Sequence, residues 1–396
     1  MIIPRRSLTT MSYYLVQKRC KIKFSFRGSN YMKINKGQIR LSSRKKNLLF
    51  EWKRGKGHHF SYLVNRIRWH FFPRIHHLSD FPSHVDIEIS SACNLRCPMC
   101  YTITDEFKKK VNVGMMDFEL YKKLIDECAK RNLYSIRISF RGESFIHKDI
   151  FEMIKYAKDA GIKEVSSLTH GGMLDETKFR KLIELGLDWL TISFDGIGET
   201  YNKIRAPNNY DDQVSKIRRF HEIKKELGVT KPIIKVQSVL PAIAENPIEF
   251  HETFDPIVDQ IGANPLIDYS HKAQDSEFIE NFTCPVLWQR LVIGSDGKVL
   301  LCSQDEYGMV IVGDVNEESI YDVWHGKKLR KARESHLKKM GVEEVSPCKF
   351  CVYPRKTIPT IVQIGNTAVS SFEYINWDNA IEKNSSRYSM KSDKDN

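Results

Sequence analysis

Ser91-Ala92-Cys93-Asn94-Leu95-Arg96-Cys97-Pro98-Met99-Cys100 places three cysteines within eight residues, spaced C-x3-C-x2-C. The run before it, Val85-Asp86-Ile87-Glu88-Ile89-Ser90, alternates apolar and polar side chains, the period of a short strand. The cysteines are therefore expected on a loop leaving a strand end. Thiolates are soft ligands that suit zinc or iron–sulfur clusters. A structural zinc site takes four ligands, usually as two separated pairs. Three close thiolates without a local fourth fit a cubane cluster better, each binding one iron and leaving the last iron open for chemistry. A zinc knuckle and a group of buried thiols are the alternatives on spacing alone.

The chain has 396 residues, enough for a large core and a second module. Of its nine cysteines, seven fall in two groups: Cys93, Cys97 and Cys100, then Cys284, Cys302, Cys348 and Cys351. Cys20 is read as a free thiol and Cys128 as ordinary core. Grouped cysteines without a secretory signal point to metal binding in a reducing compartment, so the cytoplasm is expected. No apolar run reaches the roughly 18 residues of a membrane span. The net charge of +13 is unevenly placed. Residues 1–80 hold 19 Lys and Arg against Glu51 and Asp80, or +17, and the other 316 residues hold 43 against 47 acids, or −4. A basic leader can touch a membrane surface, nucleic acid or an acidic partner, and its composition also matches an organelle transit peptide. The favoured reading is a loosely ordered extension, with Met11 or Met32 as alternative starts, and nucleic acid is not an expected partner.

Residues 1–57 lack sustained periodicity and are expected to be poorly ordered. Residues 60–72 read as a helix packed on the outside of the main domain. Strands and helices then alternate. Helices are expected at Phe118–Arg131, Asp149–Ala160, Asp175–Leu185, Asp211–Leu227 and Ile248–Ile261, and four of them stop at Gly161, Gly186, Gly228 and Gly262. Strands are expected at Tyr134–Phe140, Lys163–Thr169, Trp189–Phe194, Ile233–Leu240 and about Asn264–Tyr269. Six βα-type units imply a parallel α/β architecture, too short for a full eight-stranded barrel.

The cysteine spacing on a loop after a first strand resembles the radical S-adenosylmethionine (radical SAM) superfamily, over about residues 83–272. The implied fold is an open, partial (β/α)6 TIM barrel. Later strand ends agree in order. Arg141-Gly142-Glu143-Ser144 stands where the family usually has Gly-Gly-Glu-Pro, and the resemblance assigns Gly142 and Glu143 to the SAM amino group. Thr169-His170-Gly171 replaces Thr-Asn-Gly. Ser193-Phe194-Asp195-Gly196 matches a pattern whose Ser and Asp face the SAM carboxylate and ribose, and Arg205 matches an arginine that reaches the carboxylate. Met99 departs from the aromatic residue common before the third cysteine, which puts an adenine contact in doubt, although Met packs there too.

Strand parity adds candidates without the family. If Glu143 points inward, Arg141, Ser139 and Arg137 share its side; Lys235 and Gln237 share one face of their strand, as do Asp86 and Glu88. Arg137, Arg141 and Lys235 are then candidates to hold a hydroxylated or anionic substrate. The competing reading is an ion-pair network with Asp86 and Glu88.

In the second group, Leu291–Ile293, Ser295-Asp296-Gly297 and Val299–Leu301 read as a hairpin ending at Cys302. Ser319–Arg333 reads as a helix, and Cys348 and Cys351 follow as C-x2-C. The arrangement is similar to the twitch or SPASM module, with zinc as the physical alternative. The full SPASM pattern holds two auxiliary clusters, but here four cysteines suffice for one closed [4Fe–4S] cluster, for electron transfer or structure. The expected organisation is a basic extension at 1–82, the core at 83–272, the auxiliary module at 273–360 and a polar tail at 361–396.

The resemblance implies an enzyme in which Cys93, Cys97 and Cys100 hold a [4Fe–4S] cluster. SAM chelates its open iron and is cleaved to a 5′-deoxyadenosyl radical, which takes a hydrogen atom from substrate. An electron donor such as flavodoxin or ferredoxin is implied. The four-cysteine spacing is similar to the 2-deoxy-scyllo-inosamine dehydrogenase type, so oxidation of a sugar or cyclitol is the leading expectation. Peptide crosslinking or epimerisation is the second reading, and a non-catalytic Fe–S or zinc protein the third.

Overall fold

The computed structural model describes residues 38–264, 277–364 and 367–374, with side chains described outside 360–374. A short strand β1 (Ile39–Arg40) and the helices α1 (Arg44–Gly55) and α2 (His59–Phe71) precede β2 (His84–Ile87). Then come α3 (Phe118–Lys130), β3 (Ser135–Arg137), α4 (Ile150–Asp159), β4 (Glu164–Thr169) and α5 (Glu176–Glu184). β5 (Trp189–Ser193), α6 (Tyr210–Glu226), β6 (Ile233–Val239), α7 (Pro247–Phe254) and β7 (Gln260–Asn264) complete the repeat. β2 through β7 pair side by side in chain order, all parallel. This is the expected α/β partial barrel, with its strand ends on one rim.

Local sequence accounts for the helices. Asp117 caps α3 by accepting from the Glu119 and Leu120 amides, and Tyr121, Leu124, Ile125 and Cys128 form its buried stripe. Cys128 is ordinary core. Asp175 caps α5, which closes at Gly186 with φ +76°, a conformation that favours glycine.

The C-terminal part extends the same sheet. β8 (Arg290–Ile293) pairs parallel with β2, then β9 (Lys298–Leu300) and β10 (Ile311–Asp314) follow antiparallel. The expected hairpin is therefore present, turned at Asp296-Gly297, and it gains a third strand. The expected single helix at 319–333 is two, α8 (Ile320–His325) and α9 (Lys327–Leu337), broken at Gly326.

Three expectations are corrected. The helix expected at Ile248–Ile261 ends at Phe254, and the last barrel strand is Gln260–Asn264 instead of 264–269, of which 265–269 lie outside the described residues. Pro256 has no amide N–H to carry the helix past Asp255, and Ile261 belongs to the sheet, opposite Val236. The leader is ordered from residue 38, while 1–37 lie outside the described residues. β1 pairs with β7, Lys53 pairs with Asp259, and Arg54 makes a two-pronged pair with Glu164 (2.9 and 2.8 Å). Two of the leader's cations thus neutralise core carboxylates, a use that composition conceals. Lastly, the tail expected from 361 begins inside an antiparallel hairpin, β11 (Thr357–Ile364) and β12 (Thr367–Tyr374). Pro359 argues against a strand in sequence but is tolerated in an edge hairpin.

Candidate active site

The cysteine loop is pinned from the next strand end. The Glu143 amide donates to the Ala92 carbonyl at 2.9 Å. A Cβ on Gly142 would lie 2.3 Å from that same oxygen and 2.6 Å from the Ser90 carbonyl, so only glycine permits the approach. Beside this contact lies a cavity of about 300 Å³. Cys93, Cys97 and Cys100 line it, as do Met99, Arg141, Gly142, Glu143, Ser193 and Arg205. These are seven of the positions read from sequence on the second, fourth and cysteine loops, with Arg141 and Arg205 beside them. The C-terminal part completes the lining through Gln304, Glu306, Val352 and Tyr353.

Glu143 is 2% exposed and well held. Its Oε1 accepts from Thr169 (2.7 Å) and the Phe145 amide (3.0 Å), and its Oε2 accepts from the His170 amide (2.8 Å). A carboxylate has about four acceptor positions; these donors take three, and the His170 ring Nε2 lies 3.4 Å from Oε2. Thr169 is therefore behind the wall, orienting Glu143. His170 holds Asn94 of the cysteine loop at 2.8 Å, and burial depresses its pKa. Asp195 is likewise one layer back. Its Oδ2 takes Arg205, and its Oδ1 takes Ser238 (3.1 Å) and the Val239 amide (2.8 Å). Asp195 thus aims Arg205 into the cavity. Burial opposes the Arg205 charge, but Asp195 and the neighbouring Cys97 more than offset it and raise its pKa.

The ion-pair reading describes Arg137 and Arg141. Asp86 and Glu88 are fully buried on one face of β2 and its continuation. Arg137 binds Asp86 at 2.9 Å, and Arg290 of the C-terminal part binds it at 3.1 Å. Burial would raise the Asp86 pKa, but these two guanidiniums and His84 hold it far below the usual carboxylate range. Arg141 clasps Glu88 through Nε (2.7 Å) and Nη2. Arg141 still reaches the cavity wall, whereas Arg137 and Lys235 are not among its lining residues. Lys235 lies toward the start of β6, bonded to Gln38 at 3.1 Å, and Gln38 also donates to Gln237 at 2.7 Å. That bridge places Lys235 and Gln237 on one face, as parity requires. Burial, followed by Arg40, Arg137 and Arg54, lowers the Lys235 pKa to about 7.

Cys284, Cys302 and Cys351 are buried, and Cys348 is half-buried. Burial first, then the neighbouring thiols, raises the pKa of Cys302 to about 12 and holds those of Cys348 and Cys351 well above the ordinary thiol value, so the four belong to one group. All eight described cysteines are free thiols. Two groups of thiols, one of three beside a polar cavity and one of four inside the protein, are donor sets suited to iron–sulfur clusters, and binding would release their protons. Among the described residues no three His, Cys, Asp or Glu side chains converge tightly enough for a single metal ion.

Sequence reasoning missed His336, which is fully buried in α9. Its Nδ1 accepts from the Cys284 amide at 3.3 Å, so Nε2 carries the proton and faces Cys348 Sγ at 3.5 Å. Gly341 leaves room for the ring, since a Cβ there would lie 2.3 Å from it. It also missed the wall residues of the C-terminal part. Cys302 and Cys351 accept from the amides two residues on, Gln304 and Tyr353, both at 3.4 Å, and those two side chains line the cavity. Cysteine spacing was the only signal to either.

Residues 87–254 match the radical SAM superfamily model, and residues 284–352 match the SPASM iron–sulfur cluster-binding domain model. A tungsten-containing aldehyde ferredoxin oxidoreductase cofactor-modifying protein of Pyrococcus furiosus is 30% identical over 156 residues, 39% of this chain and 42% of that protein. The chain spans less than half the length of that relative and of the Fe-coproporphyrin III synthase of Methanosarcina barkeri, 34% identical over 34% of this chain and 32% of the synthase. The S-adenosyl-L-methionine-dependent 2-deoxy-scyllo-inosamine dehydrogenase of Niallia circulans is 22% identical over 68% of this chain and 92% of its own. The crystal structure of BtrN in complex with AdoMet and 2-DOIA shares the fold, with a TM-score of 0.50 and 20% identity over 69% of this chain and 93% of that one.

Proposed function

The chain belongs to the radical SAM superfamily and carries a SPASM domain, and on that premise we propose that it oxidises a secondary alcohol of a small sugar or cyclitol. One observation carries this reading. Gln304 and Tyr353, each two residues beyond a cysteine of the second set, line the same cavity as the three-cysteine loop. A substrate in that cavity would be near both thiol sets, one suited to supply a hydrogen-atom acceptor and the other an electron acceptor. Oxidation of an alcohol to a ketone requires both, because the carbon loses a hydrogen atom and then an electron while the hydroxyl loses a proton. The dehydrogenase relative, matched over nearly its whole length, supports the same reaction class.

When bound, the clusters and SAM supply the 5′-deoxyadenosyl radical and an acceptor for the substrate electron. Cys93, Cys97 and Cys100 would hold the first cluster, and Cys284, Cys302, Cys348 and Cys351 the second. Glu143, on the cavity lining, would receive the SAM ammonium, and Arg205 the carboxylate. Ser193 lines the same wall. Thr169 and Asp195 act through Glu143 and Arg205, and Met99, within the loop, lines the cavity. Arg141, fixed by Glu88, is a permanent cation that orients a substrate oxygen and is not a base. The reductant is a flavodoxin- or ferredoxin-type donor.

The test is anaerobic incubation of the reconstituted full chain with SAM, dithionite and a panel of cyclitols, aminocyclitols and sugars. One polyol should yield 5′-deoxyadenosine together with its ketone. Formation of 5′-deoxyadenosine with peptides only would replace this reading with peptide modification.

A further inference from the structure

We propose that the outward face of α1 and α2 docks this protein onto an anionic phospholipid bilayer surface. A helix packed on a domain needs one apolar stripe, facing the core. α2 has two. Tyr62 and Asn65 are buried toward the barrel, where Asn65 donates to the Ser83 carbonyl. Phe60, Leu63, Ile67 and Phe71, at the i, i+3, i+7 and i+11 positions, form a second stripe on the opposite side. Phe60 is 80% exposed, and the other three are 51–57% exposed. α1 repeats the pattern. Phe50 is buried, while Leu48 and Trp52, one turn apart, are 73% and 63% exposed. Trp52 packs against the His59 ring at 4.1 Å, which joins the two stripes. Among the described residues, eight of the fifteen exposed large hydrophobics fall between Leu48 and Ile75, so exposed apolar surface is concentrated on this helix pair and the turn after it.

Charge selects the occupant. Residues 38–80 hold ten Lys and Arg against two acids. Several are used internally, as Arg54 and Lys53 show, but Arg44, Lys45 and Arg68 are exposed and make no ion pair with a described residue. By helical period Arg44 and Lys45 flank Leu48 and Trp52, and Arg68 flanks the α2 stripe. Beside that stripe a cleft of about 580 Å³ opens, where Phe60 and Arg68 meet Lys163 and Arg131, the last held by Asp80 at 3.2 Å. An apolar strip with an aromatic residue, rimmed by cations, with a cationic cleft of headgroup size alongside, is the pattern of a helix pair lying in an anionic bilayer interface. A second copy of this face would bring like charges together. No described helix is long and apolar enough to cross a membrane, so contact is with the surface.

The test uses the full-length, cluster-loaded protein and sedimentation with two kinds of vesicle, equal parts phosphatidylglycerol and phosphatidylcholine, or phosphatidylcholine alone. Binding to the anionic vesicles at low salt should exceed binding to the neutral ones by at least about tenfold and fall at high salt. Leu63→Ser with Ile67→Ser should lower it about tenfold or more. Arg44→Gln, Lys45→Gln and Arg68→Gln together should erase the preference for the anionic vesicle. Both variants change exposed side chains away from the cavity, so thermal midpoint and 5′-deoxyadenosine formation in solution should match the parent. Failure to bind anionic vesicles overturns the proposal. So does binding that both variants leave intact, which would place it elsewhere in the chain. A parent that is dimeric and becomes monomeric in the serine variant, without vesicle binding, would assign the face to a second copy.

Discussion

The two cysteine sets have the same donor chemistry and opposite surroundings. Cys93, Cys97 and Cys100 line a cavity, with Cys93 exposed, on a loop held by Gly142, Glu143 and Asn94. Cys284, Cys302 and Cys351 are buried and do not line that cavity, and His336 is wedged against their group. The first set is three thiols with a space where a ligand can complete the site. The second is four thiols with none needed. Openness rather than ligand type separates a site that does chemistry from one that passes electrons or supports the fold.

The sharpest way to break this contrast is to remove one ligand from each set. Cys97→Ala should abolish 5′-deoxyadenosine formation to background; surviving SAM cleavage would overturn the assignment of the loop. Cys351→Ser should lower iron by about four atoms per chain and, if the second set is an electron acceptor, stop ketone formation while some SAM cleavage persists, read by iron analysis and product chromatography. Equal loss in both variants would show that the sets are not separable. Arg205→Ala should leave Asp195 buried without its partner, costing about 3–5 kcal/mol in denaturant unfolding, and should raise the KM for SAM.

Lys235 tests whether the far end of the barrel shares the site's chemistry. Its folded pKa of about 7 is below the ordinary lysine value. Between about pH 7 and 10 the unfolded chain therefore binds more protons, and the stability of the parent rises with pH across that window. Lys235→Met should be the more stable protein below pH 7, by on the order of 4 kcal/mol, and should lose that advantage toward pH 10. Its 5′-deoxyadenosine formation should be unchanged, since Lys235 does not line the cavity. The smallest effect is expected at His336. An N–H directed at a cluster sulfur favours the reduced state, so His336→Ala should lower the potential of the second cluster by some tens of millivolts in a spectroscopic redox titration, with the first cluster unmoved.

Much of the site was legible because its signals are local. A cysteine spacing, a Gly-Glu pair and a Ser-x-Asp-Gly run at successive strand ends need only strand and helix periods to be placed on one rim. Met99, Gly142, Glu143, Ser193 and Arg205 were found this way. Thr169 and Asp195 were found too, but their side chains face other protein groups, and nothing in a strand's period distinguishes a residue on the wall from one behind it. Gln304 and Tyr353 were not legible, because they reach the cavity only through pairing of β8 with β2, residues about two hundred positions apart in sequence.

The sequence alone determined the parallel α/β core, the loop of three thiols and the second set of four, since alternation, capping and ligand spacing act over a few residues. Tertiary structure decided how the charges are used. Asp86 and Glu88 take up Arg137 and Arg141, Glu164 and Asp259 take up Arg54 and Lys53 of the leader, and Lys235 sits away from the cavity. The physical reason is that a charge's role depends on its partner and its burial, both set by long-range packing. The same packing placed the exposed wall of the first thiol set beside the closed group of the second, which a list of cysteines cannot express.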